Sequence, residues 1–184
     1  MRASVLSTAA AAAALSAAGP ASASDITMGR SLASACYDAS MAPITPRFAL
    51  FECNRAIEDE LLTSEDRAAT FVNRGILRMK ARDDRGADDD FDMALGIHDG
   101  NAEALLNKGF LRLRQGRYRA ALPFLDRSIQ AKTIRPALAH YARAIVHEEL
   151  GDVRSAYSDL VKAREADPSW PVPANELARF RVTR

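Results

Sequence analysis

Residues 102–121 read AEALLNKGFLRLRQGRYRAA, and the spacing within this run decides the fold. Leu105, Leu106, Phe110 and Leu113 recur at the interval of a helix whose apolar stripe faces a core. Gly109 breaks the stripe with the smallest residue, which lets a second helix approach closely. Gly116 follows the last apolar residue, at a tight turn where only glycine takes a positive φ cheaply. Tyr118 and Ala121 then open a second helical pattern. The run is a helix, a turn and a helix.

Working outward, the same unit recurs. With Ala102 as its first position, comparable units start at Ala68 and Ala137, 34 residues earlier and 35 later. The eighth position holds Gly75, Gly109 and Ala144, and the twentieth holds Ala87, Ala121 and Ala156. Four places on comes a large residue, Phe91, Leu125 or Leu160. Ala94, Ser128 and Ala163 are small again at the twenty-seventh. Gly151 matches Gly116, and Pro168 ends the third unit, where a helix must stop. The first unit departs most: Arg82 stands where the turn glycine belongs, and Gly86 is displaced. β-Branched residues are sparse and no alternating run is long, so the chain reads as all-α. A period of this length marks a stack of hairpins, each burying its face against a neighbour.

This pattern resembles the tetratricopeptide repeat family over residues 68–170. Asn107-Lys108-Gly109, Gly116, Tyr118 and Ala121 carry the match in the second unit. Gly151-Asp152, Ala156, Ala163 and Asp167-Pro168 carry it in the third, although Val153 replaces the usual aromatic residue. The resemblance implies a right-handed αα-superhelix of about three hairpins whose first helices line a concave groove. It implies groove residues Val72, Asn73, Ile76 and Lys80 from the first unit. The second gives Leu106, Asn107, Phe110 and Arg114, and the third Tyr141, Ile145 and Glu148. Asn73 and Asn107 share the sixth position; an amide there either bonds the backbone of an extended peptide or links helices. The lysine and asparagine with which one subclass clamps a C-terminal carboxylate are absent from the fifth and ninth positions. The function implied is a protein–protein interaction adaptor holding a peptide segment or partner subunit in the groove. The alternative is a structural subunit of an envelope complex bound through the convex face, which exposed Trp170, Phe180 or Val182 would favour.

The flanks add a leader and two caps. Met1-Arg2, the apolar or small run from Val5 to Ala18, and Ala21-Ser22-Ala23 have the anatomy of a signal peptide cut after Ala23. That run is shorter than the roughly 20 residues a membrane-spanning helix needs. The alanine-rich style suggests a bacterial source, and the mature chain, from Ser24, is expected in the periplasm or secreted. Cys36 and Cys53 are the only cysteines, and an exported pair reads as a disulfide worth about 3 kcal/mol. Residues 26–41 and 47–62 read as helices separated by Pro43 and Pro46. Residues 24–66 are thus an irregular, disulfide-linked hairpin on the repeats, and 67–184 are the repeats with a helical cap over 174–182.

Without Arg2 the mature chain keeps 24 basic residues against 24 acidic ones. That balance supports neither a basic stripe for nucleic acid nor a strong pull toward anionic membrane. His140 and His147 lie seven apart on one helix, about 10 Å, too far for one zinc, and hold packing positions. Asp83, Asp84, Asp88, Asp89, Asp90 and Asp92 lack the alternating ligands of a calcium loop and read as helix-start charges and a solvated face. Arg112, Arg114, Arg117 and Arg119 read as a rim facing those aspartates. No motif of nucleophilic, phosphate-binding or metal chemistry occurs, so no catalytic residue, metal or cofactor is assigned.

Overall fold

The computed structural model describes residues 31–45 and 48–180; the leader, the chain up to Arg30, Pro46 and Val182 lie outside the described residues. Among the described residues every regular element is a helix. α1 (Leu32–Met41) and α2 (Ala49–Asp59) form the first hairpin, α3 (Ser64–Lys80) and α4 (Asp84–Ile97) the second. α5 (Ala102–Arg114) and α6 (Tyr118–Gln130) form the third, α7 (Pro136–Glu149) and α8 (Val153–Ala166) the fourth, and α9 (Pro171–Leu177) closes the stack. The hairpins build a right-handed superhelix of the tetratricopeptide-like type.

Polar residues set the helix starts. Thr63, Asp83, Asn101 and Asp152 each accept the backbone N–H three residues on, satisfying an amide that the helix leaves unpaired. α1 and α7 also draw on carboxylates from elsewhere. Glu60, just past α2, accepts from Leu32 N and Ala33 N at 2.6 and 3.0 Å, clipping the hairpin shut. Glu103 of α5 accepts from Ile134 N at 3.0 Å and from Thr133, and pairs with Arg135 at 2.6 Å. The three turns inside the later hairpins share one left-handed residue: Arg82 (φ 66°), Gly116 (68°) and Gly151 (83°).

Close helix approach rests on the small-against-large pairs. A methyl group at Gly75 would lie 2.5 Å from the Phe91 ring, and one at Gly109 2.6 Å from Leu125. The first hairpin follows the same rule with a covalent bond. Ala49, Cys53 and Ala56 have the spacing of Ala87, Phe91 and Ala94, and all six are buried. Cys36 takes the place of Gly75 and is bonded to Cys53, with Cα atoms 4.8 Å apart. Around it the core holds only Ala39, Ala49 and Leu77. The disulfide stands in for apolar area that this hairpin lacks.

Cations at the seventh position tie each hairpin to the one before. Arg74 donates to Asp90 of its own hairpin at 2.7 Å and to Asn54 of α2 at 2.9 Å. Arg143 likewise holds Asp159 and, in α6, Asp126, each at 2.7 Å. Burial pushes the Asp159 carboxyl up, but hydrogen bonds from Arg143 and His140 outweigh it and hold the group down at about 2. In the middle hairpin Phe124 replaces the acid. Lys108 Nζ sits 5.5 Å from that ring's centre, a cation–π contact, and pairs with Asp88 of α4 at 2.8 Å.

The last helix differs from expectation. It starts at Pro171 rather than after Pro173 and ends at Leu177. Proline suits the first turn, where its missing N–H is not needed, so the two prolines begin this helix instead of delaying it. Trp170 meets Tyr141 edge-on at 5.0 Å and Phe180 meets Tyr157 at 5.7 Å, so both rings are engaged inside the chain.

Candidate functional site

The first helices define the inner face of the stack. α3 touches both α1 and α5, and α5 touches α7, whereas no comparable pairing links the second helices. The stack therefore bends toward α1, α3, α5 and α7. Beside that face, where each hairpin hands over to the next, lie three hollows. One of about 530 Å³ is framed by Tyr37, Leu61, Ala69 and Asn73. The next, about 570 Å³, lies between Glu65, Ile97, Glu103 and Ile134. The third, about 390 Å³, lies between Ile134, Leu138 and Trp170.

The fold engages most of the groove residues expected from the sequence. Val72 and Leu106 are buried in the core, and Ile76 and Phe110 pack partly against it. Asn107 is buried and donates to Glu103 O of its own helix at 2.8 Å. Asn73 accepts from the Ser40 hydroxyl of α1 at 3.2 Å. Both asparagines thus serve bonds within the chain, Asn73 to another helix and Asn107 to its own.

The charged candidates behave alike. Lys80 donates to Ser40 O and Ala42 O at 2.7 and 2.8 Å, closing the C-terminal end of α1. Arg114 donates to Met79 O at 2.6 Å and pairs with Asp84. Glu148 pairs with Arg179 at 2.9 Å, and Tyr141 meets Trp170 edge-on. Ile145 lies beside Glu148 and Arg179 in a hollow of about 290 Å³ under the last helix.

Residues the sequence reading missed complete the inner face. Tyr37 and Met41 of α1 are more than half exposed, and Ala69 of α3 is exposed beside Tyr37. Their signal was the spacing of Ala49, Cys53 and Ala56, which marks another repeat. It was masked because α3, at 17 residues against 13 in α5, sets the first hairpin four residues further back, and the α1–α2 turn adds one more. Tyr37 and Ala69 line the hollow of about 530 Å³.

No chemistry of metals is set up among the described residues: no group of three or more histidines, cysteines or carboxylates is placed to hold an ion. His140 Nδ1 lies 3.1 Å from Asp159 and His147 Nε2 3.8 Å from it, both inside the Arg143 network. Among the described residues no helix is long and apolar enough to cross a membrane.

In backbone the chain is similar to solved MamA structures. A MamA fragment from Desulfovibrio magneticus RS-1, residue 41 to its end, shares 21% identity with a TM-score of 0.63, over 80% of this chain and 82% of that one. A double mutant of RS-1 MamA matches at 20% and 0.63 over the same shares. A further MamA crystal structure matches at 15% and 0.57, over 84% of this chain and 79% of that one. At these identities the likeness carries the fold alone. No protein-family model matches the chain, and no curated protein matches it in sequence.

Proposed function

We propose that the chain is an exported tetratricopeptide-repeat adaptor that binds a segment of a partner protein along its inner face. The observation that carries this reading is the inner face itself: four successive first helices, with exposed Tyr37 and Ala69 lining a hollow of ligand size and exposed Met41 one turn along α1. Tyr37, Met41 and Ala69 give it an exposed apolar strip, rimmed by Glu65 and Asp66, while Asn73, Asn107, Lys80 and Arg114 are held by the fold. Burial of apolar side chains, rather than amide bonding of a peptide backbone, then supplies the affinity. The leader-like residues 1–23 and the buried Cys36–Cys53 disulfide support an oxidising, extracytoplasmic setting, the periplasm or beyond.

Helical scaffolds of this kind need no reaction of their own, and the internal pairing of His140, His147 and Asp159 supports a non-enzymatic role. Exposed apolar residues of the second helices, such as Phe51, Met93 and Val153, sit on different hairpins, and none of them lines the hollows beside the inner face. The test is photo-crosslinking in the native cell with a benzophenone amino acid at Tyr37 or Ala69, and at Met93 as the control. A discrete adduct from the first two and none from Met93 is expected. An adduct at Met93 alone would move the interface to the convex side. The N-terminus of the purified native protein should be Ser24.

A further inference from the structure

We propose that the edge of the stack carrying the turns inside the hairpins docks on an anionic lipid surface. Those turns lie side by side: Lys80 at the end of α3 reaches the end of α1, Arg114 at the end of α5 reaches the end of α3, and the turn after α5 adjoins Leu150 after α7. On this edge Arg85, Arg119 and Arg154 hold the same place in three hairpins, the second residue of the second helix, and all three are exposed. A cation in the first turn of a helix opposes the helix dipole, so the placement works against stability three times over. Arg82 and Arg117 are exposed on the same turns, and Arg82 is also the left-handed residue. Neither they nor Arg85 and Arg119 pair with a carboxylate among the described residues.

The acids nearby that keep their charge are fewer than the five arginines: Asp83, Asp152 and Glu149, which bonds Tyr118. The others are neutralised by a base. Asp83 and Asp152 accept the N–H of Gly86 and Ser155, Asp84 pairs with Arg114, and Glu148 pairs with Arg179. Formal neutrality of the whole chain therefore coexists with a basic edge. The same edge ends in the turn after α1, where Ile44 is 84% exposed and Met41 56%. Guanidinium groups in a row, continued by an apolar turn, match the interface of an anionic bilayer. Lipid phosphates pair with the arginines, and the apolar side chains enter the boundary of the acyl chains. An acidic peptide would satisfy the arginines and leave Ile44 and Met41 in water. Tyr37, Ala69 and the hollows stay open in this arrangement, with only Met41 shared at the rim, so the inference does not depend on groove binding.

The test is co-sedimentation of residues 24–184, which retain every described helix, with phosphatidylcholine vesicles containing 30% phosphatidylglycerol or none. Wild type should sediment with the anionic vesicles only, and 0.5 M salt should release it. Each arginine changed to serine should weaken partitioning about five-fold, and the change at all five should abolish it. Ile44→Ser should weaken it with no change in salt dependence. Circular dichroism should show the five-site variant folded and no less heat-stable, because unfavourable charges at helix starts are gone. Equal binding to both vesicles, undiminished binding of the variant, or binding to polyglutamate in place of vesicles would each overturn the proposal.

Discussion

Cys36 stands to Cys53 as Gly75 stands to Phe91: each pair fixes the distance between the two helices of its hairpin. In the later hairpin an aromatic ring fills a space that glycine leaves. In the first, two short side chains meet in a bond, and the surrounding core is mostly alanine.

The first hairpin should therefore fail selectively when the bond is removed. Cys36→Ser with Cys53→Ser is expected to lower stability by about 3 kcal/mol. Limited proteolysis should then cut within residues 31–62 while α3 to α9 stay protected. Loss of protection across the whole chain would contradict the modular reading.

Two glycine substitutions should have opposite signs. Gly109→Ala forces a methyl group against Leu125 at 2.6 Å, and overpacking of this kind costs about 1–3 kcal/mol. Gly96→Ala has nothing within 4 Å and should gain roughly 0.5–1 kcal/mol from helix propensity. Thermal melts of the two variants against wild type decide it.

Arg82→Gly should stabilise the fold by about 1 kcal/mol, because glycine adopts the left-handed conformation without the clash a side chain makes. Denaturant titration reads the gain directly. No gain would mean that the Arg82 side chain offsets its own strain.

Arg143→Met leaves Asp159 buried beside only His140 and His147, and breaking a buried pair in this way costs about 3–5 kcal/mol. The same carboxylate predicts an acid response. Its folded value, about 2, lies below the ordinary 3.8, so its contribution is complete above pH 3.8 and disappears as pH falls toward 2. Wild type should lose stability across that window relative to Asp159→Asn, measured by urea titration at each pH.

The repeat architecture was legible because it rests on local size. Gly75, Gly109 and Ala144 announce close helix contact, and Gly116 and Gly151 announce turns, whatever surrounds them. Even the anomaly at Arg82 pointed to the position that the structure shows as left-handed. The groove was less legible because a polar side chain's partner depends on distant chain. Asn73 is engaged by Ser40, 33 residues away, and Arg114 by Met79, 35 away. No spacing rule around Asn73 or Arg114 reveals those neighbours. Tyr37 escaped for a different reason: α3 has 17 residues against 13 in α5, and with the longer α1–α2 turn this shifted its hairpin out of the 34-residue frame.

The cations at the seventh position all reach the same way, from a later hairpin to a side chain of the earlier one: Arg74 to Asn54, Lys108 to Asp92, Arg143 to Asp126. Asp126 stays about half open to water even with Arg143 bound to it, whereas Lys108 is almost wholly enclosed in its contact. Loss of the last hairpin would therefore return a carboxylate to water that it already meets. Loss of the first two would take from Lys108 both its partner acids and part of its cover. The two ends of the stack are thus unequal: trimming from the carboxyl end should be tolerated better than trimming from the amino end.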